Sequence, residues 1–435
     1  MTVAAAVVAD SQTHSYRIHY SKEYPESGLL LASDFSFLTP PVMHYRRFGR
    51  TNLQMPVFSC GGMRYQYKWQ DVPLVDVPAD NQTNLEATIR RSLELGINHI
   101  ETARGYGSSE MQLGQIVPKI PRESFILQTK IVPTADPNEF RDKLEKSLAY
   151  LKLDYVDLLG IHGINTDEIL EWTVRPGGCL DIVRQFQQQG RIRFVGFSTH
   201  GPTDVIVRAC ETNQFDYVNL HWYYINQRNW DAIAAATRHD MGVFIISPSD
   251  KGGMLYSPPQ RLVELCAPLS PIVFNDLFCL SHSQVHTLSV GAARPQDLDE
   301  HLKTLEYLDR ADEVLPPILH RLEQAAIERL GEDWYKTWHV GLPSIEETPG
   351  RFNILTVLWL WNLAIAYDMV DYARMRYALL GNGGHWFPGT KVDQIDLNAI
   401  QPFLQCSPHA DKIPTILKDA HTLLGGQDVK RLSNS

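Results

Sequence analysis

Residues 155–199 read YVDLLGIHGINTDEILEWTVRPGGCLDIVRQFQQQGRIRFVGFST. Two apolar, partly β-branched runs, YVDLLGIH and IRFVGFST, flank a stretch of helical spacing, CLDIVRQFQQQG, which Gly190 closes as a C-cap. Near-continuous apolar runs are what parallel strands show when both faces of their sheet are covered. The same alternation continues in both directions. Upstream lie PVFSCGG, INHIETA and FILQTKI; downstream lie FDYVNLHW, VFIISPS and HTLSVGAA. Helical patterns separate them, among them NLEATIRRSLELG, closed by Gly96, and EFRDKLEKSLAYLKL. Strand and helix alternating eight times predict a (β/α)₈ barrel over residues 43–315. A doubly wound open sheet is the alternative, and the absence of a G-x-G-x-x-G after any strand disfavours it.

The flanks differ in character. Residues 1–42 lack periodicity and end in Pro40 and Pro41, so a loosely ordered extension is expected there; Met43 is a second candidate start. Residues 316–435 carry helix-like patterns and two irregular stretches, GLPSIEETPG and GNGGHWFPGTK, which predict a small helical domain. The apolar run Ile354–Tyr367 is too short for a membrane span and predicts a buried helix. GHWFPGTK nearly spells a phosphate loop, but its residue order is wrong and no strand precedes it.

Composition narrows the function. A net charge of -10 supplies no basic excess to meet phosphates, so nucleic acid is not an expected partner. Six scattered cysteines without a C-x-x-C pair suit free thiols in a reducing cytoplasm. The N-terminus lacks a basic region ahead of its apolar patch, so no signal peptide is expected. No metal-ligand motif occurs.

The active site of such a barrel forms at the C-terminal ends of its strands. There the second strand ends in Glu101 and leads to Tyr106, the third ends in Lys130 and the fourth in His162. Any one of these is commonplace at a strand end; together they make chemical sense. Reducing a carbonyl needs a hydride at carbon and a proton at oxygen. A tyrosine is a poor acid at neutral pH, and a nearby ammonium improves it by favouring tyrosinate. A carboxylate can hold that ammonium, and a neutral histidine can orient the carbonyl oxygen.

The stretches GINHIETARGYGSSEMQLGQ, LQTKIVP, YVDLLGIHG, GRIRFVGFSTHG and SVGAARPQDLDEHL together resemble the aldo/keto reductase superfamily. The resemblance implies a catalytic tetrad of Glu101, Tyr106, Lys130 and His162, with Glu where the family usually has Asp. It implies that Ser198, Thr199 and Asn219 hold a nicotinamide carboxamide, that Ile246, followed by Ser247, packs on the nicotinamide face, and that Gly291 and Arg294 meet the adenosine phosphate. NADP(H) is thus the favoured cofactor, with NAD(H) the alternative because Asp297 stands where the family often has a basic residue. The implied activity is reduction of small aldehydes or ketones; the alternative is a non-catalytic dinucleotide-binding accessory protein. Tyr65, Trp69, Trp222, Tyr223 and Tyr224, on two rim loops, are the candidate pocket walls. The C-terminal region resembles a ferredoxin-like extension in which QCSPHADKIPTILKDA keeps Cys406 alone of the cluster cysteines. The expectation is a helical cap without an iron–sulfur cluster, and Cys406 as a small buried residue.

Overall fold

The computed structural model describes residues 42–426. The expected N-terminal extension lies outside them, apart from Val42. Strands β1 (Tyr45–Arg47) and β2 (Gln54–Pro56) form an antiparallel hairpin. Eight further strands follow: β3 (Phe58–Gly61), β4 (His99–Glu101), β5 (Ile126–Ile131), β6 (Val156–His162), β7 (Ile192–Ser198), β8 (Tyr217–Leu220), β9 (Gly242–Ile245) and β10 (Thr287–Val290). All pair in parallel in sequence order, and β10 returns to β3, so the sheet closes into the expected barrel. Each of the eight apolar runs supplies one strand.

Local chemistry sets the ends of the intervening helices. Pro137 opens the helix Pro137–Leu151, and the Asp136 side chain accepts the Asn138 N–H at 2.9 Å. Gly96 and Gly190 follow their helices at φ +77° and +75°, conformations that glycine adopts without a Cβ clash. The floor of the barrel is plugged by the hairpin. Phe48 is fully buried against Tyr217, Phe244, Leu158 and Ile126, and it fills the space that a Cβ on Gly242 would need. Plugging this end leaves the opposite rim, at the strand C-termini, as the open mouth.

Beyond β10 the chain is helical. The helix Ala311–Leu330 runs through the expected boundary near residue 315. The helix Ile354–Tyr367 is buried, as its apolar sequence predicts, and it packs on the rim of the barrel. There Trp359 donates its indole N–H to the Ile225 carbonyl at 2.7 Å, and Tyr372 donates to the Lys251 carbonyl at 2.6 Å. Barrel and C-terminal helices therefore share one continuous core. Among the described residues no single helix is long and apolar enough to cross a membrane. Cys406 departs from expectation. Five cysteines are buried, but Cys406 is exposed, because Leu404 of the same short segment takes the buried position.

Candidate active site

Glu101, Tyr106, Lys130 and His162 meet at a cavity of about 200 Å³ in the open mouth. Each is placed by its own backbone. Glu101 is the last residue of β4 and Lys130 lies near the end of β5. Lys130 pairs in register with Gly160, and a Cβ there would sit 2.9 Å from the lysine's Cγ. The missing side chain is what lets the long ammonium arm run up the barrel interior. The Tyr106 loop is clamped: the Arg104 N–H donates to the Lys130 carbonyl at 2.9 Å, and the Arg104 guanidinium pairs with buried Glu110 at 2.6 Å.

The Lys130 ammonium donates to a Glu101 carboxylate oxygen and to the Thr102 carbonyl, the latter at 2.8 Å. It stands 4.8 Å from the Tyr106 ring centroid. The Tyr106 hydroxyl donates instead to Glu101 Oε1, at 3.3 Å. Burial raises the Tyr106 phenol above its ordinary range and pushes the Lys130 ammonium well below its own. The His162 ring lies edge-on to Tyr106, with centroids 5.8 Å apart. Burial first, and then the charges of Lys130 and Lys251, push this histidine down to about 3, so its imidazole is neutral. Its Nδ1 is buried without a hydrogen-bond partner.

Ser198, Ile246, Ser247 and Gly291 line the same cavity. His162, Ser198 and Asn219 sit in register on three adjacent strand ends. The Ser198 hydroxyl and both atoms of the Asn219 amide are buried without a partner. Unpaired buried polar groups are costly, and this set offers the acceptors and donors that a primary carboxamide needs. The residues present therefore fit a nicotinamide. Two expected cofactor residues are otherwise engaged. Thr199 donates to the Ile164 carbonyl at 2.6 Å and accepts the Gly201 N–H at 2.9 Å, which ties it to its own turn. Arg294 is largely exposed and donates to Asp297 at 3.0 Å.

Asp297 is itself a hub. It accepts the Ala293 N–H at 2.9 Å and lies 3.7 Å from Arg64, which in turn donates to the Gly291 carbonyl at 2.7 Å. A second cavity, of about 370 Å³, opens beside it and shares Tyr256 with the first. Gln296, Asp297 and Glu300 line it, without a lysine or arginine.

The expected aromatic walls lie elsewhere. None of Tyr65, Trp69, Trp222, Tyr223 and Tyr224 lines the cavity. Trp222 stacks on Phe278, Tyr224 packs on Phe274, and Trp69 touches the outer side of Tyr106. The walls include Tyr256, His200, Lys251 and Trp386. His200 directly follows the expected FST strand end and could have been found there. Nothing in the sequence placed Trp386 at this mouth.

A closed barrel with a tyrosine–lysine–histidine–carboxylate cluster at its strand ends defines a class of proteins. Residues 59–255 match the aldo/keto reductase family model, and the barrel is similar to that superfamily. An aldo-keto reductase structure from Bacillus halodurans, in its holo form, superposes with a TM-score of 0.54 at 21% identity, over 64% of this chain and 96% of that one. L-galactose dehydrogenase of Arabidopsis thaliana is 33% identical over 131 residues, 27% of this chain and 39% of that protein. The NADH-specific methylglyoxal reductase of Escherichia coli is 23% identical over 188 residues, 38% of this chain and 56% of that protein. A Schizosaccharomyces pombe protein that bears the name of a voltage-gated potassium channel subunit beta is 21% identical over 355 residues, 68% of this chain and 96% of its own. The chain spans about half the length of the first curated relatives it matches, from 39% to 58%.

Proposed function

We propose that this chain is a nicotinamide-dependent oxidoreductase that reduces small aldehydes or ketones to alcohols. One observation carries the reading: a phenol, a buried ammonium, a carboxylate and a neutral imidazole converge on one cavity, beside unpaired carboxamide-binding groups. The dinucleotide, when bound, supplies the hydride. The protein supplies the rest. Ser198 and Asn219 hold the carboxamide, and Ile246 packs against the ring face. His162 is neutral and so can donate one N–H to the substrate oxygen without competing for its proton. Tyr106 gives its hydroxyl proton to the developing alkoxide, and the Lys130 charge, held by Glu101, favours the tyrosinate left behind. The relatives named for reduction of methylglyoxal and oxidation of L-galactose support carbonyl–alcohol chemistry on this barrel. The test is oxidation of NADH and NADPH with a panel of aldehydes and ketones, beside a Tyr106→Phe variant. Equal rates in the variant would remove Tyr106 from the donor role.

A second reading, a non-catalytic dinucleotide-binding accessory protein, draws on the Tyr106–Glu101 contact, which disfavours tyrosinate, and on the channel-subunit relative. Tight cofactor binding with no turnover on any member of the panel would select it.

A further inference from the structure

We propose that Trp386, delivered by the C-terminal region, is the specificity-determining wall of the carbonyl site and confines it to small substrates. This rests on the reductase reading above. Trp386 ends a single helical turn, Gly384–Trp386, inside the irregular stretch GNGGHWFPGT. Its indole enters the cavity that holds Tyr106 and Lys130.

Several contacts fix it. The indole meets His162 edge-to-face with centroids 5.4 Å apart, and His200 at 4.9 Å. Its backbone carbonyl lies 3.3 Å from His200 Nδ1, and the adjacent His385 takes a 2.9 Å hydrogen bond from the Asn165 amide. Gly163, directly after His162, makes room for it: a Cβ there would stand 2.4 Å from the indole Cη2. A ring held by two imidazoles, the backbone and a glycine cradle is a fixed wall.

Its position gives that wall a consequence. The His162 ring is in edge contact with both Tyr106 and Trp386. A carbonyl oxygen shared by Tyr106 and His162 therefore lies in the cavity that the Trp386 indole walls, one imidazole away from it. The cavity that substrate and nicotinamide would share is about 200 Å³ in all. Bulky aryl carbonyls collide with the indole, whereas short-chain ones do not reach it.

The test compares the intact protein with Trp386→Ala and Trp386→Phe, using propanal and 2-naphthaldehyde. In Trp386→Ala the ratio of kcat/KM for 2-naphthaldehyde over propanal rises at least about tenfold, through KM for the larger aldehyde. Trp386→Phe falls between the two. The cofactor Kd, read by fluorescence titration, is the control that the folded site is intact, and only the ratio between the two aldehydes is read from the kinetics. An unchanged ratio with intact cofactor binding would overturn the proposal. Calorimetric binding of 2-naphthaldehyde separates this from a failure of the reductase reading. If the unaltered protein reduces neither aldehyde, that reading fails; a gain of about tenfold in naphthaldehyde affinity in Trp386→Ala then still supports the wall, and equal affinity refutes it.

Discussion

The Tyr106 hydroxyl lies 3.3 Å from Oε1 of Glu101, the same carboxylate oxygen that receives the Lys130 ammonium. Burial raises the tyrosine, and a carboxylate that accepts from a phenol stabilises the neutral phenol, an effect of the same sign. Aspartate is one methylene shorter; it would keep the lysine and release the phenol. Glu101→Asp is therefore expected to move the alkaline limb of kcat/KM down by about one pH unit and to raise kcat several-fold. Tyr106→Phe is expected to lower kcat/KM by about 10²- to 10⁴-fold. A pH–rate series on both variants checks this, and an unmoved limb in Glu101→Asp would remove the carboxylate from control of the donor.

Ser198 and Asn219 make a prediction with two readouts. Both carry buried polar atoms that have no partner. Removing such groups costs nothing in hydrogen bonds without the cofactor and loses a bond with it. Ser198→Ala and Asn219→Leu are each expected to weaken dinucleotide binding by about 1–2 kcal/mol, or roughly 5- to 30-fold. Thermal stability without cofactor should be equal or higher. Fluorescence titration and melting curves on the same samples separate the two effects; a loss of stability without a loss of affinity would make these residues structural.

The barrel was legible because buried parallel strands leave continuous apolar runs, and each of the eight runs became one strand. Glu101, Lys130 and His162 were brought together because strand ends converge, and Tyr106 joins them because Arg104 clamps its loop to Lys130 and Glu110. What stayed hidden depended on side-chain reach or on distant chain. The length of Glu101 was visible, but not that it would reach Tyr106 and the lysine alike. The walls were expected from the aromatic loops near residues 65 and 222, yet Tyr65, Trp222 and Tyr223 turn into the core beneath the rim and Trp69 stays about half exposed. Trp386 arrives from a stretch with no periodicity, where pattern carries no information about placement. Cys406 was expected inside on the habits of its residue type, and the neighbouring leucine took that position.

Buried neutral histidines set an acid limit on stability. The His286 Nδ1 accepts the Val243 N–H at 3.0 Å, and burial is the main cause that lowers the group to about 4. Its unfolded value is about 6.5. Between those values the unfolded chain binds a proton that the native one refuses, so stability is complete above pH 6.5 and falls as pH drops toward 4. This one residue contributes a loss of about 1.4 kcal/mol per pH unit in that window, and His99 and His162, lowered to about 3, add to it. His286→Gln should be less stable at pH 7 by about 1–2 kcal/mol and should draw level with the unaltered protein near pH 5. Urea unfolding at the two pH values decides; a constant gap would show that the histidine takes up its proton in the folded state.

Asp297 predicts the cofactor. The expectation of NADP(H) leaned on Arg294 as a phosphate partner, but that guanidinium is already bonded to Asp297, with Arg64 close on the other side. The adjoining cavity shows a phosphate Asp297 and Glu300 and no cation of its own. A ribose hydroxyl can donate to such a carboxylate, whereas a 2′-phosphate is repelled by it. The protein should therefore bind NADH more tightly than NADPH, by about tenfold or more. Asp297→Asn removes the charge and frees Arg294 and Arg64, so NADPH affinity should rise about tenfold while NADH affinity falls slightly. Titration of both cofactors by fluorescence, with no substrate present, measures this directly. Tighter binding of NADPH by the unaltered protein would return the preference to Arg294 and leave Asp297 as a structural tether.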